Sequence, residues 1–515
     1  LIQDSGSIVD NTGTGVLERD QQGTTNLYNY NYWSSPVNNN FVSFSIGAVL
    51  HDGTNASSPQ SVLWTASHDA PGTANPITMS SRWLYSYENF PVGSYADWVR
   101  LNQNTLVNIG LGFTMKGSGR PTSDQNYVFI GKPNNGIITT PIVSGNEALI
   151  GNPYPSAIDA HEFINDNSSS ILGTLYFWEH YVSNNTHVLS DYEGGFASYN
   201  LSGGNAAISP PEISGLGTPS KIPERYIPVS QGFTVEANDT GGNILFENDQ
   251  RIFVKEAVTG AADNGSVFIR TSNNNNRNDV QEPLIKRLRL NLKTPDGAIR
   301  PLLLAFISDD LATDGFDYGF DGINSETFPN DMSWMINDTK HVIQGVGAFD
   351  TDKRYPLGVF LSTSGTIEIA LQELENFEND ISVYVYDALL DSYTTIDADI
   401  NYVNNLDADE YLNRFYITFS EEDTSLSVDD NISQQTVISY LQDSNDIYIK
   451  TPNSLDVQQV YLINILGQSL KAWNATNTPM SHEFTIPVKN VAEGAYIIKV
   501  ETSQGTINKK VIVKY

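Results

Sequence analysis

The 515-residue chain carries 60 Asp and Glu against 28 Lys and Arg, a formal charge of −32, and has no cysteine. Such a surface repels a phosphate backbone, which excludes nucleic acid as a partner, and attracts divalent cations instead. No window approaches eighteen unbroken apolar residues, so no segment reads as a membrane-spanning helix. The length suggests about three domains. With 7 Trp, 26 Tyr and 22 Phe, and turn-forming Asn, Ser, Thr, Gly and Asp throughout, the composition points to an all-β fold of many short strands. The chain begins Leu1-Ile2-Gln3-Asp4 without Met or an apolar leader, which reads as the C-terminal part of a longer protein.

Residues 1–255 read as one β-rich module. Aromatic and β-branched runs broken by Pro36 and an Asn run predict strands over 24–50, and further strands are expected at 61–66, 81–87, 96–101, 106–115 and 126–131. Helical periodicity is nearly absent. The exception is Ser156 to Ile164, where Asp159 is placed to cap a short turn that carries Phe163 and Ile164 inward. The segments "LIGNPYPS" (149–156), "GTLYFWEH" (173–180), "FASYN" (196–200) and "YIPVSQGFTVEA" (226–237), with "YWSSPV" (32–37) and "GLGFTMKG" (110–117), resemble the β-rich module of large flavobacterial, adhesin-like surface proteins.

Polar, Gly-containing residues 256–265 read as a linker, followed by a second β-sandwich or jelly-roll-like domain over 266–422. Its clearest element is a hairpin in "KRLRLNLKTPDGAIRPLLLAFI" (286–307), turning at Thr294-Pro295-Asp296-Gly297. Residues 343–361, 365–377, 381–396 and 414–420 add strands, and these runs resemble the second sandwich of the same surface proteins. The acidic stretch 423–440 has the composition of an exposed linker.

Beyond it, Val460 to Ile465 is an apolar run stopping at Leu466-Gly467-Gln468. Tyr496, Ile498 and Val500 then alternate with Ile497, Lys499 and Glu501, and Val511 and Val513 with Lys510, Ile512 and Lys514, across a Gly-containing turn. The patterns predict a small β-sandwich. "VYLINILGQSLK" (460–471), "VAEGAYIIKVETSQG" (491–505) and "KKVIVK" (509–514), in this order at the chain's end, resemble the type A C-terminal sorting domain of Bacteroidetes type IX secretion cargo, without the Tyr-Pro-Asn-Pro opening of many members. The resemblance implies an Ig-like β-sandwich over 441–515 that is recognised by the outer-membrane translocon and captured by a shuttle β-barrel. It further implies removal by the sortase machinery, leaving the protein outside the outer membrane at the cell surface. Gly467, Gly494, Tyr496, Lys509, Lys510 and Lys514 carry the signal on this reading, Gly494 with an expected positive φ before its strand.

Catalytic templates fail in turn. Neither His161-Glu162 nor His482-Glu483 is followed by the second His of a zincin helix, and no Gly-x-Ser-x-Gly occurs. His180 and His187 are scattered strand histidines, and Gly110-x-Gly112 and Gly345-x-Gly347 lack a third Gly. No catalysis is expected. Glu179 and Glu193, near Trp178 and Tyr192, are the carboxylates a hydrolase would use. Asp314, Asp317 and Asp321, in a Gly-punctuated loop, offer oxygens for calcium, or a loop anchored by Phe316, Tyr318 and Phe320 with no ion. Trp33, Trp64, Trp83, Trp98 and Trp178 supply either core or a platform for glycans.

Overall fold

The computed structural model describes residues 13–210, 212–254, 285–308, 311–325, 327–377, 381–421, 436–441, 444–451, 456–464, 469–474, 483–489, 491–502 and 505–514. The linker expected at 256–265, residues 423–435 of the acidic stretch, and Gly467 lie outside them. The fold is all-β, and the chain divides into two compact units, Leu1–Glu421 and Glu422–Tyr515.

The larger unit holds two main cores. In the first half an antiparallel six-stranded sheet runs in the order Glu88–Pro91, Asn146–Gly151, Gly232–Ala237, Ile171–His180, Gly194–Asn200, Gly203–Ile208. Alternation sorts its side chains: Ala148, Leu175, Phe177, Ala197, Phe233 and Val235 enter a core shared with Trp33, Phe113, Tyr127 and Phe129. The expected helical turn is there as Ala160–Asp166, with Asp159 Oδ1 accepting from the His161 N–H at 3.0 Å and Phe163 and Ile164 fully buried.

The second half is one eleven-stranded sheet rather than two separate layers. Residues from both ends of its strand order, Val383 and Ile396 at one and Tyr402 and Leu406 at the other, lie in a single core with Leu290, Leu303, Trp334 and Ile417, so the sheet curls over itself. The predicted hairpin pairs Lys286–Lys293 with Ile299–Phe306, and Gly297 takes φ +89° in the turn, a conformation that favours glycine. Ile299–Phe306 also pairs with Thr339–Val346, in parallel.

The two halves are not independent bodies. Arg287 Nε donates to the Ser202 carbonyl at 2.7 Å and Arg289 Nη1 to that of Gly204 at 2.6 Å, while both guanidinia reach the buried Glu375 carboxylate. Leu201 N–H donates to the Gly319 carbonyl, and Tyr318 Oη to that of Ile164 at 2.8 Å.

In the terminal unit, Val437–Leu441, Asp446–Lys450 and Glu483–Pro487 form one sheet, and Ser469–Asn474, Val457–Asn464, Gly494–Thr502 and Gly505–Val513 another. Ile447, Val460, Leu462, Ile498, Val500 and Val513 fill the core, while Ile497 and Ile512 face outward, as the alternation predicts. Across the described residues no helix is long and apolar enough to cross a membrane.

One buried ion pair tests the packing of the larger unit. Arg300 and Asp331 are both fully buried and joined by two bonds of 2.5 and 2.8 Å. Replacing Asp331 with Ala strands the guanidinium, and we expect a loss of about 3–5 kcal/mol in urea unfolding; a change under about 1 kcal/mol would refute this.

Candidate functional site

The face of the six-stranded sheet turned away from its core forms the floor of a cavity of about 570 Å³. The same alternation that buries Phe177 and Val235 turns Tyr176, Trp178, Phe196, Ser198, Thr234, Glu236 and Glu147 into it. Register brings them side by side: Tyr176 opposite Ser198 and Thr234, Trp178 opposite Phe196, and Glu147 opposite Glu236. Tyr30 and Tyr32, two apart in the strand Tyr30–Trp33, add a further wall, and Tyr95 and Trp98 come from the segment after Glu88–Pro91. Arg300, Asn324 and Ser325 close the cavity from the second half. The site therefore exists only where the two halves pack.

Tyr32 stacks on Trp178 with centroids 6.0 Å apart and planes 10° apart, and meets Trp98 and Phe196 edge-on. Such faces bind apolar and CH-rich surfaces. Between them stand the two carboxyls. Burial pushes Glu147 up to about 7, with the Glu236 charge across the ladder adding to the rise and the Gly93 N–H opposing it. Burial raises Glu236 too, against hydrogen bonds from Ser325 and Tyr176. Among the described residues neither carboxyl has a cationic partner, because Arg300, the guanidinium in the wall, is spent on Asp331. The wall residues Trp178, Ser198 and Asn324 also carry buried polar atoms, Nε1, Oγ and Oδ1, with no hydrogen-bond partner among the described residues.

Next to the cavity lies Lys116, buried, its Nζ 3.9 Å from the Trp83 ring centroid and 4.4 Å from that of Tyr30. It donates to Tyr192 Oη and sits 3.0 Å from His187 Nδ1, whose Nε2 meets Asp69 at 2.7 Å. Burial lowers this lysine to about 7. His180 is fully engaged, Nε2 accepting from the Tyr30 N–H and Nδ1 facing Asn184 Nδ2, both at 2.8 Å. Burial holds it down to about 3, hence neutral.

The carboxylates singled out from sequence lie elsewhere. Glu179 has the opposite parity to Trp178, and its Oε1 accepts from Ser220 N–H and Oγ; neither it nor Glu193 lines the cavity. Asp314 pairs with Lys353 at 2.9 Å, Asp317 accepts from Thr313, and Asp321 accepts from Asp317 N–H and Gly345 N–H. Protein donors close this loop, and among the described residues no three His, Asp or Glu converge as metal ligands. Of the tryptophans, Trp33 is core, Trp83 stacks on His187, and Trp98 and Trp178 line the cavity. Glu147 and Glu236, which sequence reasoning missed, are marked by one signal: a Glu amid the otherwise uncharged strands 146–151 and 232–237.

In the terminal unit Tyr496 is buried and donates to the Ala492 carbonyl at 2.9 Å, so it is a core residue. Gly494 takes φ +158°, beside the extended region, and pairs with Val513; it opens the strand rather than forming a turn before it. Lys509 and Lys514 are exposed, and Lys510 pairs with Ile497.

A large β unit with an aromatic cavity, followed by a separately cored terminal β unit, defines the class: an all-β protein of two compact units. Residues 443–514 match the secretion system C-terminal sorting domain, which marks export by type IX secretion to the cell surface or extracellular space. Residues 1–419 match a domain of unknown function, DUF8693, and the chain belongs to that family. No curated protein and no solved structure matches it.

The raised Glu147 carboxyl sets a pH dependence. Between its ordinary value of 4.5 and about 7 the folded state keeps a proton that the unfolded chain has released, so stability falls as pH rises through that window. Melting temperatures of Glu147→Gln should therefore decline less between pH 4.5 and 8 than those of the native protein; parallel curves would contradict the assignment.

Proposed function

We propose that the Leu1–Glu421 unit is a carbohydrate-binding module displayed outside the cell, and that it binds without catalysing turnover. One observation carries the reading: a 570 Å³ cavity in which stacked aromatic faces alternate with buried polar groups. Sugars present CH faces to rings and hydroxyls to polar atoms, so such a wall suits them. Against catalysis stands the placement of the carboxyls. Glycosidase acids flank the scissile bond from opposite sides. Glu147 and Glu236 are cross-strand neighbours on one wall, with Cβ atoms about 5 Å apart by ladder geometry.

Trp98 and the half-exposed Tyr95 are the residues to test, because they line the cavity without filling the main core. Trp98→Ala and Tyr95→Ala should each weaken binding on a glycan array by about tenfold, while Trp64→Ala, outside the cavity, leaves it unchanged. Release of sugar product by the native protein, lost in Glu147→Gln, would establish a hydrolase instead.

For the terminal unit, the reading is capture by a shuttle β-barrel after translocation, then cleavage and surface attachment by the sortase machinery, with the exposed Lys509 and Lys514 as docking charges. The autonomous core of residues 438–513 supports it. A fusion of residues 436–515 to a fluorescent protein with a periplasmic export signal should reach the surface of a bacterium that has the system. Fluorescence confined to the periplasm would overturn the assignment of the address to these strands.

A further inference from the structure

Resting on the sugar-site reading, we propose that the ligand of this cavity carries a protonated amine, as an amino sugar does, held between the Glu147 and Glu236 carboxyls and the surrounding aromatic faces. The charge of the wall is the first ground. Glu147, Glu236 and Glu212 line it, and the lining Arg300 is bound at both oxygens of Asp331, so among the described residues the acids of the lining outnumber its cations. The donors that do reach the carboxyls are neutral: Gly93 N–H for Glu147, Ser325 and Tyr176 for Glu236. Burial raises both carboxyls, Glu147 further by the Glu236 charge across the ladder, and an entering ammonium relieves both costs at once.

The aromatic faces decide which cation. Among the described residues no three acids converge as a calcium site would ask, whereas an ammonium on a carbon skeleton fits carboxylates and ring faces together. Rings alone do not suffice. Lys116 lies over Trp83, Tyr30 and Tyr192, and burial lowers it to about 7 although the charge of Asp69 opposes the fall. Glu147 and Glu236 supply at the cavity the carboxylates that the Lys116 ammonium does not touch. A neutral sugar would satisfy the rings and leave the acids as they are; an amino sugar satisfies both.

The full chain is titrated calorimetrically with a glucosamine disaccharide, its N-acetylated counterpart, a neutral glucose disaccharide and an aliphatic diamine of similar length. We expect the amino sugar to bind about tenfold or more tightly than the N-acetylated and neutral sugars. In Glu147→Gln/Glu236→Gln, which removes both charges at nearly constant volume, that advantage should vanish. Folding of this variant is checked by its melting curve; removing two raised carboxyls is expected to preserve it. Equal affinity for all three sugars, or an advantage that survives in the double variant, overturns the amine proposal and leaves the sugar reading standing. A diamine that binds as tightly as the amino sugar supports the cation site and overturns the sugar reading. Binding of none of the four overturns both.

Discussion

The junction between the two halves of the large unit is the constraint on which its cavity depends. Arg287 and Arg289 project from one strand of the eleven-stranded sheet, and their guanidinia are divided between Glu375 on the next strand and backbone carbonyls of the first half. A guanidinium has five donors in a fixed fork, so it can bind a carboxylate and a carbonyl together and fix the distance between them. The backbone approaches closely: a Cβ on Gly203 would fall 2.7 Å from Arg287 Nε, and one on Gly204 2.2 Å from the Pro223 carbonyl oxygen. Glycine at 203 lets the Gly203–Ile208 strand lie against Arg287, and glycine at 204 lets it pass the Pro223 carbonyl. That contact holds Arg300, Asn324 and Ser325 over the aromatic face of the first sheet.

Buried charge is handled in two ways within this unit. Asp331 shows the compensated case, taking two bonds from Arg300 and others from Asn324 and the Phe328 and Met332 N–H groups. Every lone-pair direction meets a donor, which is what burial of an ion requires. Glu147 and Glu236 show the uncompensated case, with neutral donors only. The contrast matters because the two environments are neighbours: Asn324 and Arg300 belong both to the Asp331 network and to the cavity wall. A fold able to pair one buried acid so completely leaves two others without a cation where the space is open, and strain of this kind collects at binding sites.

What was legible in the sequence was local. The hairpin at 294–297, the Asp159 cap and the alternation of the last strands each rest on residues within a few positions of one another, and the structure has all three. The cavity was not legible, because its floor is assembled by register between distant strands: Glu147 and Glu236 are neighbours only after Asn146–Gly151 pairs with Gly232–Ala237. Proximity in sequence misled for the same reason. Glu179 adjoins Trp178, and in a strand adjacent residues face opposite sides, so the Trp reaches the cavity and the Glu does not. In the Asp314 to Asp321 loop the carboxylates close their own turn and bind Lys353 and Gly345, contacts that the Gly-punctuated sequence does not spell out.

The terminal unit follows a simpler rule. Its core residues, Ile438 to Val513, all come from within the unit, so its strands need no side chain of the larger unit to bury their apolar face. A domain with its own core presents the same surface whatever precedes it. The alternation then separates two tasks on each strand. Inward residues such as Tyr496, Ile498 and Val500 hold the fold, which fixes Tyr496 as a support, while outward residues such as Ile497, Ile512 and Lys514 take no part in that core. A change on the inward face must act through folding, whereas a change on the outward face can alter recognition alone.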